Sequence, residues 1–193
     1  GYYMMLPIIF YHAQNNLGID PRLVASITIF MYPLQYGIPI FSGALGEKLG
    51  YKKQMVFAFI CLTSAYLFLS FATNAFMIIL GVMFVGFSIG SYKPLVGATI
   101  AKSTASADRH FAYSIYYWVV NFAAAIFPTI WVGLELMGLV DTSMYAYVFR
   151  IGAVFAFINI FILLLVFKEV PRTGEVKTVR DVGRNISTAF RDK

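Results

Sequence analysis

The stretch GALGEKLGYKK, residues 43–53, separates two long apolar segments of the chain. Its glycines permit a tight connection between two helices, and four of its eleven residues are charged. An acidic side chain in such a turn can cap a helix N-terminus, and the lysines can engage the C-terminus of a neighbouring helix. The stretch therefore predicts a short, charged turn between two apolar helices.

The composition on both sides of this turn is typical of a membrane protein. The chain of 193 residues is 60% hydrophobic and only 12% charged, whereas a soluble domain carries about 25% charged residues. So few charges cannot cover a water-facing surface, which excludes an ordinary soluble domain. The single cysteine, Cys61, lies in an apolar run and cannot form a disulfide within the chain. We therefore expect an all-α membrane protein.

Five segments are long and apolar enough to cross a bilayer, which needs roughly 20 helical residues. They are residues 23–45, 55–72, 76–101, 112–138 and 144–167. A sixth apolar stretch, residues 1–13, would be only roughly 20 Å long as a helix, too short to cross. We expect it to be a truncated first span, which makes residues 1–168 a bundle of six transmembrane helices.

Lysine and arginine are concentrated on one side of this predicted bundle. The second and fourth loops and the C-terminal segment hold most of the basic residues, including Lys48, Lys102 and Arg109, whereas the opposite loops hold only Arg22. The positive-inside rule then makes these loops and both termini cytoplasmic, in a multi-pass protein of the cell membrane. The net charge of +6 is this topology signal, facing anionic membrane lipids, and it requires no nucleic-acid partner.

The composition becomes polar after the last apolar segment, and residues 169–193 are expected to form a cytoplasmic linker. Five of its residues fall near one face of a helix: Val176, Val179, Gly183, Ile186 and Phe190. This pattern suits an amphipathic helix on the cytoplasmic membrane surface. A disordered linker is an equally good interpretation.

One lysine lies deep inside an apolar span. Lys93, in GFSIGSYKPLVGATI (residues 86–100), is the only charged residue of its span. A lysine at such depth costs roughly 3 kcal/mol or more and usually faces a cavity or a partner. Pro94 cannot donate to the carbonyl of Gly90, which we therefore expect to be free, and the glycines nearby let another helix or a ligand approach closely. These residues favour a functional lysine over a structural one.

Two further segments place polar side chains inside the membrane. In YSIYYWVVNFAAAIFP (residues 113–128), Tyr113, Tyr117 and Asn121 are spaced four residues apart and form a stripe on one helix face. This stripe can bind a substrate carbonyl or amine, or equally another helix. In MYPLQYGIPIFSG (residues 31–43), Tyr36 lies near mid-span between two prolines that bracket a bendable region.

The sequence contains no constellation that indicates an enzyme. The two histidines, His12 and His110, lie near membrane edges, and no aspartate or glutamate lies at mid-span. No metal-ligand cluster or nucleophile–base pair stands out. We therefore expect a protein that is not an enzyme, with no catalytic residues and no metal site.

The turn at residues 43–53 resembles the cytoplasmic loop signature of the major facilitator superfamily, G-x-L-A-D-R-x-G-R-K-K. The matching residues, with Glu47 at the acidic position, are Gly43, Leu45, Glu47, Lys48, Gly50, Lys52 and Lys53. The match departs from the signature at Gly46, Glu47 and Tyr51. Transporters of this family have two six-helix halves. The resemblance implies an N-terminal half and its linker, whose partner is the C-terminal six-helix half of the same transporter.

Three segments are similar, more narrowly, to the proton-dependent oligopeptide transporters. IGSYKP (residues 89–94) resembles their G-x-G-x-x-K-P, and residues 108–128 resemble their fifth helix, with its F-S-I-F-Y…I-N-x-G…P pattern. GYYMMLPII (residues 1–9) resembles the segment directly after their first-helix E-x-x-E-R-F. The chain departs from these patterns at residues 4–6 and 122–123.

This resemblance implies a role for each of several residues. Lys93 would couple proton movement to the binding of the peptide carboxylate, and Asn121 would contact the peptide backbone. Tyr36 and the first-helix pair Tyr2 and Tyr3 would line the substrate site. Tyr117, on the polar stripe of the same helix as Asn121, completes the predicted set.

The implied function is proton-coupled uptake of di- or tripeptides by alternating access, with protons as the coupling ion and no other cofactor. A proton arriving on a first-helix carboxylate would free Lys93 to bind the substrate, which would couple the two flows. The alternatives are another carrier of the superfamily, for a sugar, drug or organic anion, and a nutrient receptor that binds without transporting.

Overall fold

The computed structural model describes residues 2–141 and 144–171, and every regular element in this part of the chain is helical. A π-helical turn, His12–Asn16, follows the first helix. The α-helices are α1 (Tyr2–Tyr11), α2 (Pro21–Gly37), α3 (Pro39–Leu49), α4 (Tyr51–Ser70), α5 (Ala75–Ser103), α6 (Arg109–Leu136) and α7 (Tyr145–Leu165). The predicted interfacial helix lies in residues 172–193, outside the described residues.

Four helices, α4 to α7, are each long and apolar enough to cross a membrane. Their bounds agree with the predicted segments to within a few residues. The predicted span at residues 23–45 is not one straight helix, because α2 and α3 meet at Ile38 with a bend of 42°. If this bent pair forms one span, the described residues contain five. The count of six spans and their orientation stay predictions.

Local sequence signals explain where the helices begin and end. The carboxylate of Asp20 accepts a hydrogen bond from the backbone N–H of Arg22 at 2.7 Å, and Pro21 provides the fixed φ that suits a first helical position. Asn74 caps α5 in the same way, through the N–H of Met77 at 3.0 Å. Gly50 separates α3 from α4 with φ of 103°, a conformation that glycine adopts without strain.

The helices pack around α4 and α5. α4 lies against α5 and α7, α2 and α3 lie against α5, and α6 contacts α1 and α5. The core between them is apolar, with residues such as Tyr66, Phe149 and Leu69 almost fully buried. In contrast, the 28-residue helix α6 buries only Trp131.

The glycine face of α5 makes close helix packing possible. A Cβ added at Gly86 would lie 2.6 Å from the carbonyl oxygen of Met31, and one added at Gly90 would lie 2.8 Å from that of Leu34. Both contacts are shorter than a real side chain permits, so α2 approaches α5 only because these residues are glycines. The sequence predicts that either another helix or a ligand approaches these glycines. The structure shows a helix, α2, at Gly86 and Gly90.

Candidate functional site

Lys93 lies on α5, roughly 27 Å along the helix axis from its first residue. Its side chain is exposed on the surface of the helical unit. Among residues 2–141 and 144–171, it forms neither a hydrogen bond nor an ion pair. The sequence predicts that this cation faces a cavity or a partner. In the described part of the chain its side chain is exposed and therefore accessible to either.

A hydrogen bond between α5 and α6 shows which part of α5 lies beside the polar side chains of α6, Tyr113, Tyr117 and Asn121. The hydroxyl of Tyr113 donates to the carbonyl of Gly97 at 2.7 Å. Because α5 and α6 are consecutive and joined by a short segment, they run in opposite directions. Tyr117, one turn after Tyr113, therefore lies at about the level of Lys93, one turn before Gly97. Asn121 lies one turn further along α6.

Tyr36 lies at a similar level on α2. A Cβ added at Gly90, one turn before Lys93, would lie 3.2 Å from the carbonyl of Gln35 and 2.9 Å from the Cβ of Ile38. The side chain of Tyr36 is 64% exposed, and its ring lies 5.9 Å from that of Tyr32. The chain segments on either side of Tyr36 thus pack beside the Lys93 turn of α5.

The predicted substrate residues with described side chains therefore lie within about one helical turn of Lys93 along the bundle, and all of them are exposed on its surface. These are Tyr36, Lys93, Tyr117 and Asn121. Tyr2 and Tyr3 belong to α1, but their side chains lie outside the described part of the structure. Among the described residues, these four side chains form no hydrogen bond or ring contact with one another.

The carbonyl that Pro94 leaves unpaired in α5 is not free, contrary to the prediction. Ser42 of α3 donates its hydroxyl to the carbonyl of Gly90 at 3.0 Å, and Ser42 is only 3% exposed. The α2–α3 break at Ile38 lies beside the same glycine. The proline of α5 and the break between α2 and α3 are thus joined by one buried hydrogen bond.

The charged turn at residues 43–53 is the centre of a second cluster. Glu47 forms an ion pair with Lys102 at the end of α5, and it accepts a hydrogen bond of 2.6 Å from the hydroxyl of Tyr51. The ammonium group of Lys102 also lies 4.8 Å from the centre of the Tyr51 ring. These contacts link the end of α3 to the adjoining ends of α4 and α5.

The carboxylate that caps α4 is not the predicted one. Glu169, which follows α7, accepts hydrogen bonds from the backbone N–H groups of Tyr51 at 2.6 Å and Lys52 at 3.1 Å. Glu47 is occupied by Lys102 and the Tyr51 hydroxyl instead. The sequence held no local signal for this cap, because Glu169 is more than 100 residues away along the chain.

Lys52 provides the reciprocal contact, as the sequence predicts for a lysine of this turn. Its ammonium group donates to the carbonyls of Leu164 at 2.8 Å and Phe167 at 3.0 Å, at the C-terminal end of α7. We refer to Glu47, Tyr51, Lys52, Lys102 and Glu169 as the basic-end clamp. Of the other predicted turn residues, Lys48 and Lys53 are exposed, and Gly43 has open space where a Cβ would stand.

Four long apolar helices in the described part of the chain, or five spans if α2 and α3 form one, define a multi-pass membrane protein. The whole chain, residues 1–193, matches the sequence profile of the Major Facilitator Superfamily. The chain belongs to this family, which confirms the family that residues 43–53 indicated. The family is one of membrane transporters.

Solved structures show the same fold. The chain is similar to a mutant of the peptide transporter POT, determined in complex with sulfate and in complex with alafosfalin, with TM-scores of 0.71 and 0.73. The identity is 18% in both cases, and the matches cover 99% of this chain but 42% and 41% of those chains. The chain therefore corresponds to less than half of these transporters. A comparison with curated protein sequences finds no match.

Proposed function

We propose that the chain is the N-terminal half of a secondary transporter that takes up di- or tripeptides together with protons, by alternating access. The observation that carries the proposal is Lys93, an exposed cation far inside a membrane helix, within about one helical turn of Tyr36, Tyr117 and Asn121 along the bundle. A lysine at such depth is retained where it faces a substrate or a water-filled path. The fold shared with the peptide transporter POT supports a peptide as that substrate.

The chemistry of the four side chains suits a short peptide. The ammonium group of Lys93 can form a charge-assisted hydrogen bond with the terminal carboxylate. The amide of Asn121 and the hydroxyls of Tyr36 and Tyr117 can bond to backbone carbonyl and N–H groups. In this proposal the protons are the coupling ion, no other cofactor takes part, and Tyr2 and Tyr3 add to the site from α1. The second six-helix half supplies the opposite wall.

Coupling follows from exchange of partners at Lys93. A carboxylate elsewhere in the transporter would hold the ammonium group until a proton neutralises that carboxylate. Lys93 would then be released to bind the anionic end of the substrate. Proton entry and substrate binding would thus depend on each other, which is the requirement for uphill transport. The protein would lie in the cell membrane with its C-terminal segment in the cytoplasm.

The test is Lys93→Ala in the full-length transporter, reconstituted in liposomes with an imposed proton gradient. We expect proton-driven dipeptide uptake to be abolished, because the group that responds to the proton is gone. Counterflow exchange, which needs no net proton movement, should survive at least partly. Lys168→Ala is the matched control, because Lys168 is an exposed lysine away from the predicted site.

Other outcomes would favour the other candidates or none. Dipeptide accumulation by Lys93→Ala at the level of the unmodified transporter would make Lys93 structural and the coupling scheme wrong. Uptake of a sugar, drug or organic anion without competition by dipeptides would indicate another carrier of the superfamily. Saturable binding without uptake would indicate a nutrient receptor.

A further inference from the structure

A cavity of about 250 Å³ lies between α1 and α6, at the end of the bundle opposite the basic-end clamp. It is far from Lys93 along the helices and belongs to none of the features described so far. Its charged lining residue is Glu135, and its aromatic lining residues are Tyr11 and Trp131. Apolar side chains, including Pro7, Ile8 and Val132, close the rest. The volume equals roughly eight water molecules of liquid water, which is enough for a small organic ligand.

The electrostatics of this cavity favour a cation. Glu135 is exposed and forms no ion pair with any described residue. It accepts a hydrogen bond from the hydroxyl of Tyr145, at 3.2 Å, which orients the carboxylate without neutralising it. Glu135 also lies one residue before the end of α6, where the helix dipole is negative. Two sources of negative potential therefore coincide at one position, and a bound cation would complement both.

The aromatic side chains around the carboxylate fit the same conclusion. Tyr145 holds the two ring walls in place, since its ring lies 6.2 Å from that of Tyr11 and 5.8 Å from that of Trp131. Trp131 is only 8% exposed, and its indole N–H has no acceptor among the described residues. Aromatic faces beside a carboxylate are the arrangement that binds organic ammonium groups. The unpaired N–H offers a contact to an oxygen of the same ligand.

We propose that this cavity binds the ammonium group of a small organic cation. Glu135 pairs with the charge, Tyr11 and Trp131 pack against the carbon atoms next to the nitrogen, and Tyr145 fixes the geometry. Two sources of this chemistry exist, the free amino group of an arriving substrate and a separate amine. The site goes beyond the proposed function, because it needs neither Lys93 nor a peptide substrate.

The test measures binding of choline to the full-length transporter in detergent, by isothermal titration. Its neutral isostere, 3,3-dimethylbutan-1-ol, has nearly the same shape without the charge, and we expect it to bind at least 10-fold more weakly than choline, which corresponds to about 1.4 kcal/mol. Glu135→Gln keeps an acceptor for Tyr145 but removes the charge, so choline binding should weaken at least 10-fold. Asp141→Asn removes a carboxylate that does not line the cavity and should leave binding unchanged.

Three further arms complete the experiment. Tyr11→Leu keeps an apolar wall but removes the ring, and should weaken choline binding several-fold even if Glu135→Gln fails to fold. Lys93→Ala should bind choline normally, so failure of the peptide-transport proposal is distinguishable from failure of this one. Displacement of choline by alanyl-alanine but not by its N-acetyl form would identify the substrate amine as the source. No displacement by either would identify a separate amine.

The proposal is overturned by any of three results. Equal affinities for choline and the neutral alcohol would mean that charge plays no part. Unchanged choline binding in both Glu135→Gln and Tyr11→Leu would place the binding elsewhere. A full-length transporter that binds no choline would show that the cavity does not take an organic ammonium group.

Discussion

Gly90 of α5 contacts both α2 and α3. It lacks a side chain, so α2 can approach, and its carbonyl is the one that Pro94 leaves without an intrahelical donor. Ser42, reaching from α3, satisfies that carbonyl. A buried carbonyl that loses its donor costs about 1–3 kcal/mol. The hydroxyl of Ser42 thus stabilises a proline within a membrane helix.

Ser42→Ala should therefore lower the free energy of unfolding of the full-length protein by about 1–3 kcal/mol. In a Pro94→Ala background the same change should cost less, because the alanine restores a backbone N–H that can donate to Gly90. Chemical unfolding in mixed detergent micelles measures this coupling through a double-mutant cycle. Ser64→Ala is the control, since the Ser64 hydroxyl bonds within its own helix, to Ile60. Equal costs of Ser42→Ala in both backgrounds would contradict the role of Pro94.

Part of the packing around Gly90 can be predicted from single residues of the sequence, but the hydrogen-bond donor cannot. Pro94 reveals from its chemistry alone that a carbonyl is orphaned, and Gly50 reveals that a turn is permitted. The identity of the donor, Ser42, is 48 residues away from Gly90, and no local pattern marks it among the serines of the chain. The proximity of Tyr36, Lys93, Tyr117 and Asn121 along the bundle likewise depends on the relative axial positions of three helices, α2, α5 and α6.

Between elements, the basic-end clamp ties the end of α7 to the start of α4 by two reciprocal contacts. Glu169 bonds to the N-terminal N–H groups of α4, and Lys52 bonds to the C-terminal carbonyls of α7. Each charge lies at the helix end whose dipole it complements. Val170 packs beside them against Tyr51 and Leu95, so the segment after α7 is held by apolar contacts too.

Glu169→Ala should lower the free energy of unfolding by about 1–2 kcal/mol, because two N–H groups of α4 lose a charged acceptor. The loss should shrink as salt is added, since the contact is close to the aqueous surface. Unfolding curves of the full-length protein at low and high ionic strength measure both effects. Lys168→Ala, one residue away and without a described partner, should change stability little. A Glu169→Ala protein as stable as this control at low salt would refute the clamp.

The elements themselves were largely predictable, because α4 to α7 are long apolar runs bounded by polar residues. The break at Ile38 was only partly so. Pro33 and Pro39 both suggested flexibility, yet α2 continues through Pro33 and ends before Pro39. The two prolines differ because of their surroundings. Pro39 begins the new helix α3, and the residue before it, Ile38, lies against Gly90 of α5. The cap by Glu169 is a contact between segments distant along the chain and had no sequence signal.

At the scale of the whole molecule, the two ends of the bundle differ in chemistry. One end carries the basic-end clamp, with lysines from the turn at residues 43–53 and from the end of α5. The other carries Asp20, Glu135 and Asp141, with the α1–α6 cavity beside Glu135. This asymmetry follows the positive-inside rule and predicts which end lies in the cytoplasm.

Labelling of single cysteines tests this orientation. In a Cys61→Ser background, Ser106→Cys lies between α5 and α6, and Asn16→Cys lies beyond α1 at the other end. We expect a membrane-impermeant maleimide to label Asn16→Cys in intact cells and Ser106→Cys only after the membrane is permeabilised. Labelling of Ser106→Cys in intact cells would invert the topology.

Because α6 buries so few of its side chains, its neighbours in the described residues hold it weakly. Its backbone hydrogen bonds are satisfied within the helix, so it stays helical in lipid without burial against neighbours. Because it buries only Trp131, tilting or sliding it breaks few contacts within this half of the transporter, whereas α4 is wedged between α5 and α7. Elements with few buried contacts lie at the compliant end of a structure. Among the four long helices of the described residues, the one that bears Tyr117 and Asn121 is thus held by the fewest buried side chains.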